Sequence, residues 1–142
     1  MGGVSGYRRY VGDRGMSTAE VRLSADGAHL YVLRAVAAAL ALRAQFDVDE
    51  VSDLALAVDE MCAELVARAS LGEALDCEFR MAADSVSVRA SVPCDLGHPL
   101  PTDTFGWTVL TTLTDRADSW ITPGRHRPYE LHARIRRRHA EV

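Results

Sequence analysis

Residues 47–72 read DVDEVSDLALAVDEMCAELVARASLG, and this stretch decides the fold. Its apolar residues recur every three or four positions, which is the spacing of an amphipathic helix. The core-facing stripe comprises Val51, Leu54, Val58, Met61 and Leu65. We therefore predict a helix over 48–69, which Asp47 or Asp49 can cap at its N-terminus and which Gly72 ends.

A second stripe along this helix is mainly acidic. Its members follow at steps of four, three and four residues: Asp53, Ala57, Glu60 and Glu64. Residues at this spacing share one edge of a helix. On the residues alone, such an edge is most often a solvated acidic face, but aligned carboxylates can also accept a proton or hold a cation. Both interpretations stay open at this point.

The rest of the chain predicts two more helices and five strands. Helical spacing indicates helices over 30–46, where Leu42 is among the apolar positions, and over 105–117. Alternation of apolar residues indicates strands over 18–24, 75–81, 86–92, 119–122 and 129–136. Helices and strands are segregated, so we predict an α+β fold: a two-layer sandwich in which helices cover one face of a mostly antiparallel sheet.

The ends of the chain carry no apolar pattern. Residues 1–16 contain five glycines and predict a flexible arm, and Met16 is an alternative start, so the arm need not be native. The domain is expected over 17–138, followed by a tail over 139–142. The arginines at 136–138 are expected to be solvated.

Composition excludes several kinds of chemistry. The formal net charge is −4, so no global charge draws the chain toward nucleic acid. All 16 basic residues are arginine, and without lysine there is neither a P-loop nor a Schiff base. The most apolar stretch, 31–42, is too short to cross a membrane. With no signal-peptide pattern either, we predict a cytoplasmic protein.

Cysteines and histidines give no metal-site pattern. The three cysteines lack CxxC spacing, which argues against a disulfide framework or a zinc site. Cys62 is expected to be a buried thiol, whereas Cys94, in a turn, is expected to be more exposed. The five histidines are scattered and are expected at the surface: His29, His98, His126, His132 and His139.

Three segments together carry a family resemblance. Glu60-Met-Cys62-Ala-Glu64 resembles the helix of RsbW-type anti-sigma serine kinases, in which Glu-Ala-Cys is followed by Thr-Asn. Asp95-Leu-Gly97 resembles the Asp-x-Gly box of that family, and Phe105-Gly106-Trp107 resembles its glycine turn and following helix. From residue 18 onward the chain is similar to the RsbW/UsfX group, whose members have the GHKL-type (Bergerat) ATPase fold.

The resemblance implies a nucleotide site with ATP and Mg²⁺. Glu60 would be the catalytic base, and Glu64 would stand where the family has the asparagine that holds Mg²⁺. Asp95 would bind the adenine amino group, and Gly97 and Gly106 would lie near the phosphates. An Asp-x-Gly sequence is also an ordinary turn. Because Glu64 adds a negative charge near phosphates and few lid glycines remain, we expect weak or absent kinase activity.

The resemblance also implies protein partners. The chain would sequester an alternative sigma factor of the stress or sporulation (sigma-F/sigma-B) class until an anti-anti-sigma STAS-domain protein releases it, and it would act as a homodimer. Arg22, Arg34 and Arg43 are candidates for contacting sigma, although each can equally be a solvated charge. Two alternatives stay open: an active serine kinase that phosphorylates the STAS antagonist, and a nucleotide-free interaction module. The nucleotide site requires Glu60 and Asp95 to face one cleft.

Overall fold

The computed structural model of the chain describes residues 4–11 and 17–140. Its elements in chain order are β1 (Val4–Val11), β2 (Ser17–Ser24), α1 (Leu30–Arg43), α2 (Val48–Arg68), β3 (Ala74–Met81), β4 (Ser85–Cys94), α3 (Phe105–Leu113), β5 (Arg116–Pro123) and β6 (Tyr129–Arg138). The strands form one sheet in the order β1-β2-β3-β4-β6-β5, and all neighbouring strands are antiparallel. The predicted α+β two-layer sandwich is confirmed.

The core lies between the helices and one face of the sheet. Alternate residues of each strand from β2 to β4 point toward the helices, as in β3, where Leu75, Cys77 and Phe79 are buried. The predicted stripe of α2 packs against them, with Leu54, Val58, Met61 and Leu65 fully buried. Each large apolar side chain removed from water in this way contributes about 1.5–3 kcal/mol. This packing fixes α2 over β4 and β6.

Helix α2 begins with a capping box. The Asp47 carboxylate accepts a hydrogen bond from the backbone N–H of Glu50, and the Glu50 carboxylate accepts one from the N–H of Asp47, at 2.8 and 2.9 Å. These two bonds satisfy N–H groups that have no partner within the helix. Of the two predicted caps, Asp47 is the one used.

The N-terminal arm differs from the prediction in part. Val4–Val11 forms strand β1, which pairs with β2, because its tyrosines and valines favour an extended backbone and β2 offers an edge. This strand was not predicted from the sequence, because the glycines of residues 1–16 indicated a flexible segment. The other residues of the predicted arm, 1–3 and 12–16, lie outside the described residues. The domain bounds 17–138 stay a prediction.

Two predictions near the C-terminus were wrong. Helix α3 ends at Leu113 rather than at residue 117, because the Thr114 hydroxyl bonds the Leu110 carbonyl and the backbone turns into β5. The arginines at 136–138 belong to β6 and pair with β4 instead of forming a solvated tail. Arginine side chains can occupy the solvent-facing side of a strand, so their charge alone did not exclude one.

Several side chains are also placed differently from expectation. Cys94 is buried with the other two cysteines, because alternation in β4 points it toward the helices. His132 is buried against Trp120, their rings stacked with centroids 5.2 Å apart. Leu42 is exposed, because Leu33, Ala37 and Ala41 form the buried face of α1.

Among the described residues, none of the helices is long and apolar enough to span a membrane.

Candidate functional site

Helix α2 presents Glu60 and Glu64, one turn apart, to the start of α3. A Cβ atom built on Gly106 would lie 2.8 Å from Glu64 Oε1 and 3.0 Å from Glu60 Oε2. Both carboxylates therefore reach the backbone of this buried glycine, in the first turn of α3. Free N–H groups at a helix start favour negative charge, and glycine allows the close approach. The structure thus brings together Glu60, Glu64 and Gly106.

The two carboxyl groups interact with each other. Burial raises the pKa of Glu60, the nearby charges of Glu64 and Asp59 raise it further, and its hydrogen bond with Glu64 acts in the same direction. Glu64 is held from the other side by Arg68, whose Nη1 lies 2.7 Å from Glu64 Oε2. A raised pKa makes Glu60 a better proton acceptor than an ordinary glutamate once it is ionised.

We expect Glu60→Gln to stabilise the protein at neutral pH. The folded-state pKa of Glu60 is raised, so its favourable contribution is complete below its ordinary value of about 4.5 and is lost as pH rises through the folded value. Removing one of two like charges at i,i+4 spacing is worth roughly 0.5 kcal/mol. In thermal melts from pH 4 to 8, the melting temperatures of the two proteins should converge at low pH, and the variant should have the higher melting temperature at pH 7. An equal difference at every pH would refute the assignment.

Asp95 and Gly97 lie in a separate set of contacts. The Asp95 side chain is exposed, and its nearest cation is Arg127, whose Nη1 lies 3.9 Å away. A Cβ atom on Gly97 would lie 2.8 Å from Cζ of Tyr129, so this glycine makes room for an aromatic ring. Asp95 is therefore exposed and close to a cation, and its role in binding adenine stays a prediction.

Hydrogen bonds join the segment around Asp95 to the residues that follow α2. The Ser70 N–H, just after α2, donates to the Pro93 carbonyl, two residues before Asp95. Arg127 also donates to Glu73 and to the Leu71 carbonyl, which ties the loop before β6 to the segment after α2. No contact joins Glu60 to Asp95 among the described residues. Their shared cleft stays a prediction.

The residues present do not fit Mg-ATP as they are arranged. The two carboxylates occupy the space beside Gly106 where the resemblance would put phosphates, and carboxylates repel phosphate oxygens. Glu64 Oε2 is paired with Arg68, so a cation binding at this oxygen would compete with the arginine. Within residues 4–11 and 17–140, no group of three or more His, Cys, Asp or Glu side chains is placed to hold a metal ion.

The predicted partner-binding arginines do not form one surface. Arg22 lies on the sheet face away from the helices and pairs with Asp76, whereas Arg34 on α1 lies 3.7 Å from Asp59 of α2. Arg43 follows Arg34 by nine residues and so lies about 180° around α1 from it. A single partner patch cannot include all three.

Sequence reasoning missed the outer side of α1. Helix α1 reads LYVLRAVAAALALR and has only two polar residues, so its outward face is apolar. Tyr31 and Leu42 are 59% and 61% exposed, and Ala35 and Ala39 are exposed between them. The composition of α1 was the available signal. We call Tyr31, Ala35, Ala39 and Leu42 the α1 apolar face.

Known relatives exist among curated proteins. The chain is 35% identical over 102 residues to proteins named anti-sigma-F factor RsbW from two strains of Mycobacterium tuberculosis. The match covers 72% of this chain and 61% of each relative, so it spans about three-fifths of their length. The predicted resemblance to RsbW-type proteins is confirmed. No family model matches the chain, and the GHKL assignment stays a prediction.

Proposed function

We infer that this chain, a relative of RsbW, is an anti-sigma factor that binds and sequesters an alternative sigma factor. The relatives carry that function in their name, and the chain shares their sequence over most of its described length. Because the match leaves part of each relative uncovered, the proposal also depends on a surface feature of this chain itself.

The α1 apolar face is the observation that carries the proposal. A surface helix of a soluble domain normally has an apolar inner side and a polar outer side, so an apolar stripe on the outer side is expected to contact a partner. Leu33, Ala37 and Ala41 already fill the inner side of α1, so a partner is the remaining way to remove Tyr31 and Leu42 from water. Small alanines between two larger side chains allow close approach of a partner helix.

Nucleotide is not needed for this binding. The carboxylates of Glu60 and Glu64 lie against Gly106, where their negative charge opposes phosphate binding, and the α1 apolar face involves neither of these glutamates. We therefore place sigma binding ahead of the alternative, an ATP-dependent serine kinase with Glu60 as base. The closed carboxylate pair argues against that enzyme and favours an interaction protein.

The finer points follow from the resemblance. We propose that the sigma factor is of the sigma-F/sigma-B class and that a STAS-domain protein releases it by competing for this chain. The homodimer stays a prediction, and sedimentation equilibrium of the purified chain tests it directly.

A transcription assay tests the proposed function. RNA polymerase would be reconstituted with each alternative sigma factor of the source organism in turn, and transcription would be measured from the promoter that each factor recognises. An equimolar amount of the chain should abolish transcription with one of these sigma factors. Transcription with the housekeeping sigma factor is the control and should continue. The proposal fails if a tenfold excess of the chain leaves every alternative sigma factor active.

We expect Glu64→Asn to raise the affinity of the chain for nucleotide. Millimolar Mg-ATP should leave the melting temperature of the natural chain unchanged, and it should raise that of the variant. Removing one charge about 4 Å from the phosphates is worth up to about 4 kcal/mol at an effective dielectric near 20, so we expect a gain in affinity of roughly tenfold or more.

The matched control is Glu20→Gln, which changes the net charge equally on an exposed strand residue. It should not respond to nucleotide. A natural chain that already melts as high with Mg-ATP as the variant does would contradict the closed site.

A further inference from the structure

The sheet face opposite the helices carries a concentration of arginine. Alternation in β6 sends Leu131, Ala133 and Ile135 toward the core, so Arg134, Arg136 and Arg138 lie on the outer face. Arg89 of β4 is opposite Arg134, and Arg116 of β5 is opposite Arg136. We call these five residues the arginine ladder. No described helix covers this face.

Positive charge in the ladder exceeds the negative charge near it. Asp118 is bonded by both Arg116 and Arg134, at 2.8 and 3.2 Å, and Asp84 lies 3.9 Å from Arg138. Neither Arg89 nor Arg136 forms an ion pair among the described residues, but Arg89 faces Glu78 of β3 across the strand, whereas Arg136 has Ser87 and Arg116 opposite it. Two pairs of arginines face each other across neighbouring strands, which is destabilising. Asp118, bonded to one member of each pair, offsets this repulsion only in part.

Hydrogen bonding in the ladder is also incomplete. The Nε atoms of Arg134 and Arg136 are buried and have no acceptor within the described part of the chain. Burial, and then the charge of Arg89, lower the pKa of His132, which lies on the same sheet face. The side chains of Arg134 and Arg138 are 39% and 60% exposed, so the outer nitrogens of their guanidinium groups are accessible to carboxylates, which guanidinium groups bind in a fixed geometry.

We propose that the arginine ladder docks an extended acidic segment of a partner protein. Alternate residues of a strand are about 6.8 Å apart, so Arg134, Arg136 and Arg138 match the pitch of carboxylates on every second residue of an extended peptide. The ladder lies across the sheet from the α1 apolar face. The two surfaces can be occupied together, and this proposal does not rest on sigma binding.

A nucleic acid is a less suitable occupant. Single-stranded nucleic acids use exposed aromatic rings on which bases stack. The aromatic residue here, Trp120, is already stacked on His132, and the guanidinium groups of Arg89 and Arg134 lie 5.7 and 5.5 Å from its ring centroid. The net charge of −4 also opposes a polyanion at long range.

Fluorescence anisotropy with a labelled Thr-Glu repeat of eight residues tests the proposal. We expect salt-sensitive binding to the full chain. The double variant Arg89→Gln, Arg136→Gln should weaken it at least tenfold. The control Arg43→Gln, Arg125→Gln removes the same charge from exposed arginines outside the ladder and should change it less than twofold.

Two further measurements keep the test decisive. The ladder variant should melt no lower than the natural chain, because it removes like-charge contacts, and the peptide should alter tryptophan emission of the natural chain through Trp120. No binding, equal loss in both double variants, or tighter binding of an eight-nucleotide oligothymidylate than of the peptide would overturn the proposal.

Discussion

Replacing Ala39 with arginine is expected to weaken binding of the sigma factor by roughly thirtyfold or more. Ala39 is exposed near the middle of the α1 apolar face, about 160° around the helix from buried Ala37. A long charged side chain there would hold a partner off and leave an unpaired charge in an apolar contact. Changes at the centre of interfaces commonly cost about 2 kcal/mol or more.

The variant should fold normally, because arginine is nearly as good a helix former as alanine and the site is exposed. Ala67→Arg is the matched control, an exposed alanine on α2 outside this face. Titration calorimetry with the sigma factor should show normal affinity for the control. Equal affinity of the Ala39 variant and the natural chain would remove α1 from the interface.

Replacing Glu50 with alanine is expected to destabilise the fold by about 3 kcal/mol, and so to lower the melting temperature by roughly 10 °C. Glu50 is buried and completes the capping box of α2. Its carboxylate also accepts hydrogen bonds from His139 Nδ1 at 2.9 Å and from the Ala140 N–H at 2.6 Å. One side chain thus joins the start of α2 to the segment that follows β6.

This effect should depend on pH. Burial alone would raise the pKa of Glu50, but hydrogen bonds from the Ala140 and Asp47 N–H groups and from His139 bring it below its ordinary value. The stability that Glu50 contributes is therefore present above about pH 4.5 and is lost as pH falls through the folded-state value. The cost of the alanine substitution should shrink in acid.

Asp49→Ala serves as the comparison, because Asp49 is exposed in the same helical turn and contributes mainly to the helix dipole, about 0.5 kcal/mol. A double-variant cycle of Glu50→Ala with His139→Ala should show coupling of about 1 kcal/mol. Equal melting temperatures for the Glu50 and Asp49 variants would show that the contact with His139 and Ala140 contributes nothing.

Much of the fold was predictable because the strongest patterns are local. The apolar stripe of α2 and its Asp47 cap lie within one segment, so hydrophobic spacing and capping chemistry identify them. The course of β6 was harder, because Arg136, Arg137 and Arg138 look like a solvated run. Only the sheet shows that Arg137 turns inward to Asp53, 3.2 Å away, between two outward neighbours.

The sequence predicted several residues of the candidate site but not all of the contacts between them. The family resemblance drew attention to Glu60, Glu64 and Gly106, and these residues do meet. Spacing could not reveal that Arg127 lies nearest Asp95, because that contact joins residues 32 positions apart. The outward face of α1 was missed because apolar residues on several sides of a helix give no indication of which side is buried.

Capture of a sigma factor without nucleotide tests the central claim most directly. The immobilised chain would be incubated with each sigma factor of its source organism in buffer containing EDTA and no ATP, and then again with Mg-ATP. We predict that one alternative sigma factor is retained in stoichiometric amount and equally in both buffers. Retention of none, or retention only with Mg-ATP, would contradict an anti-sigma factor that works through α1 alone.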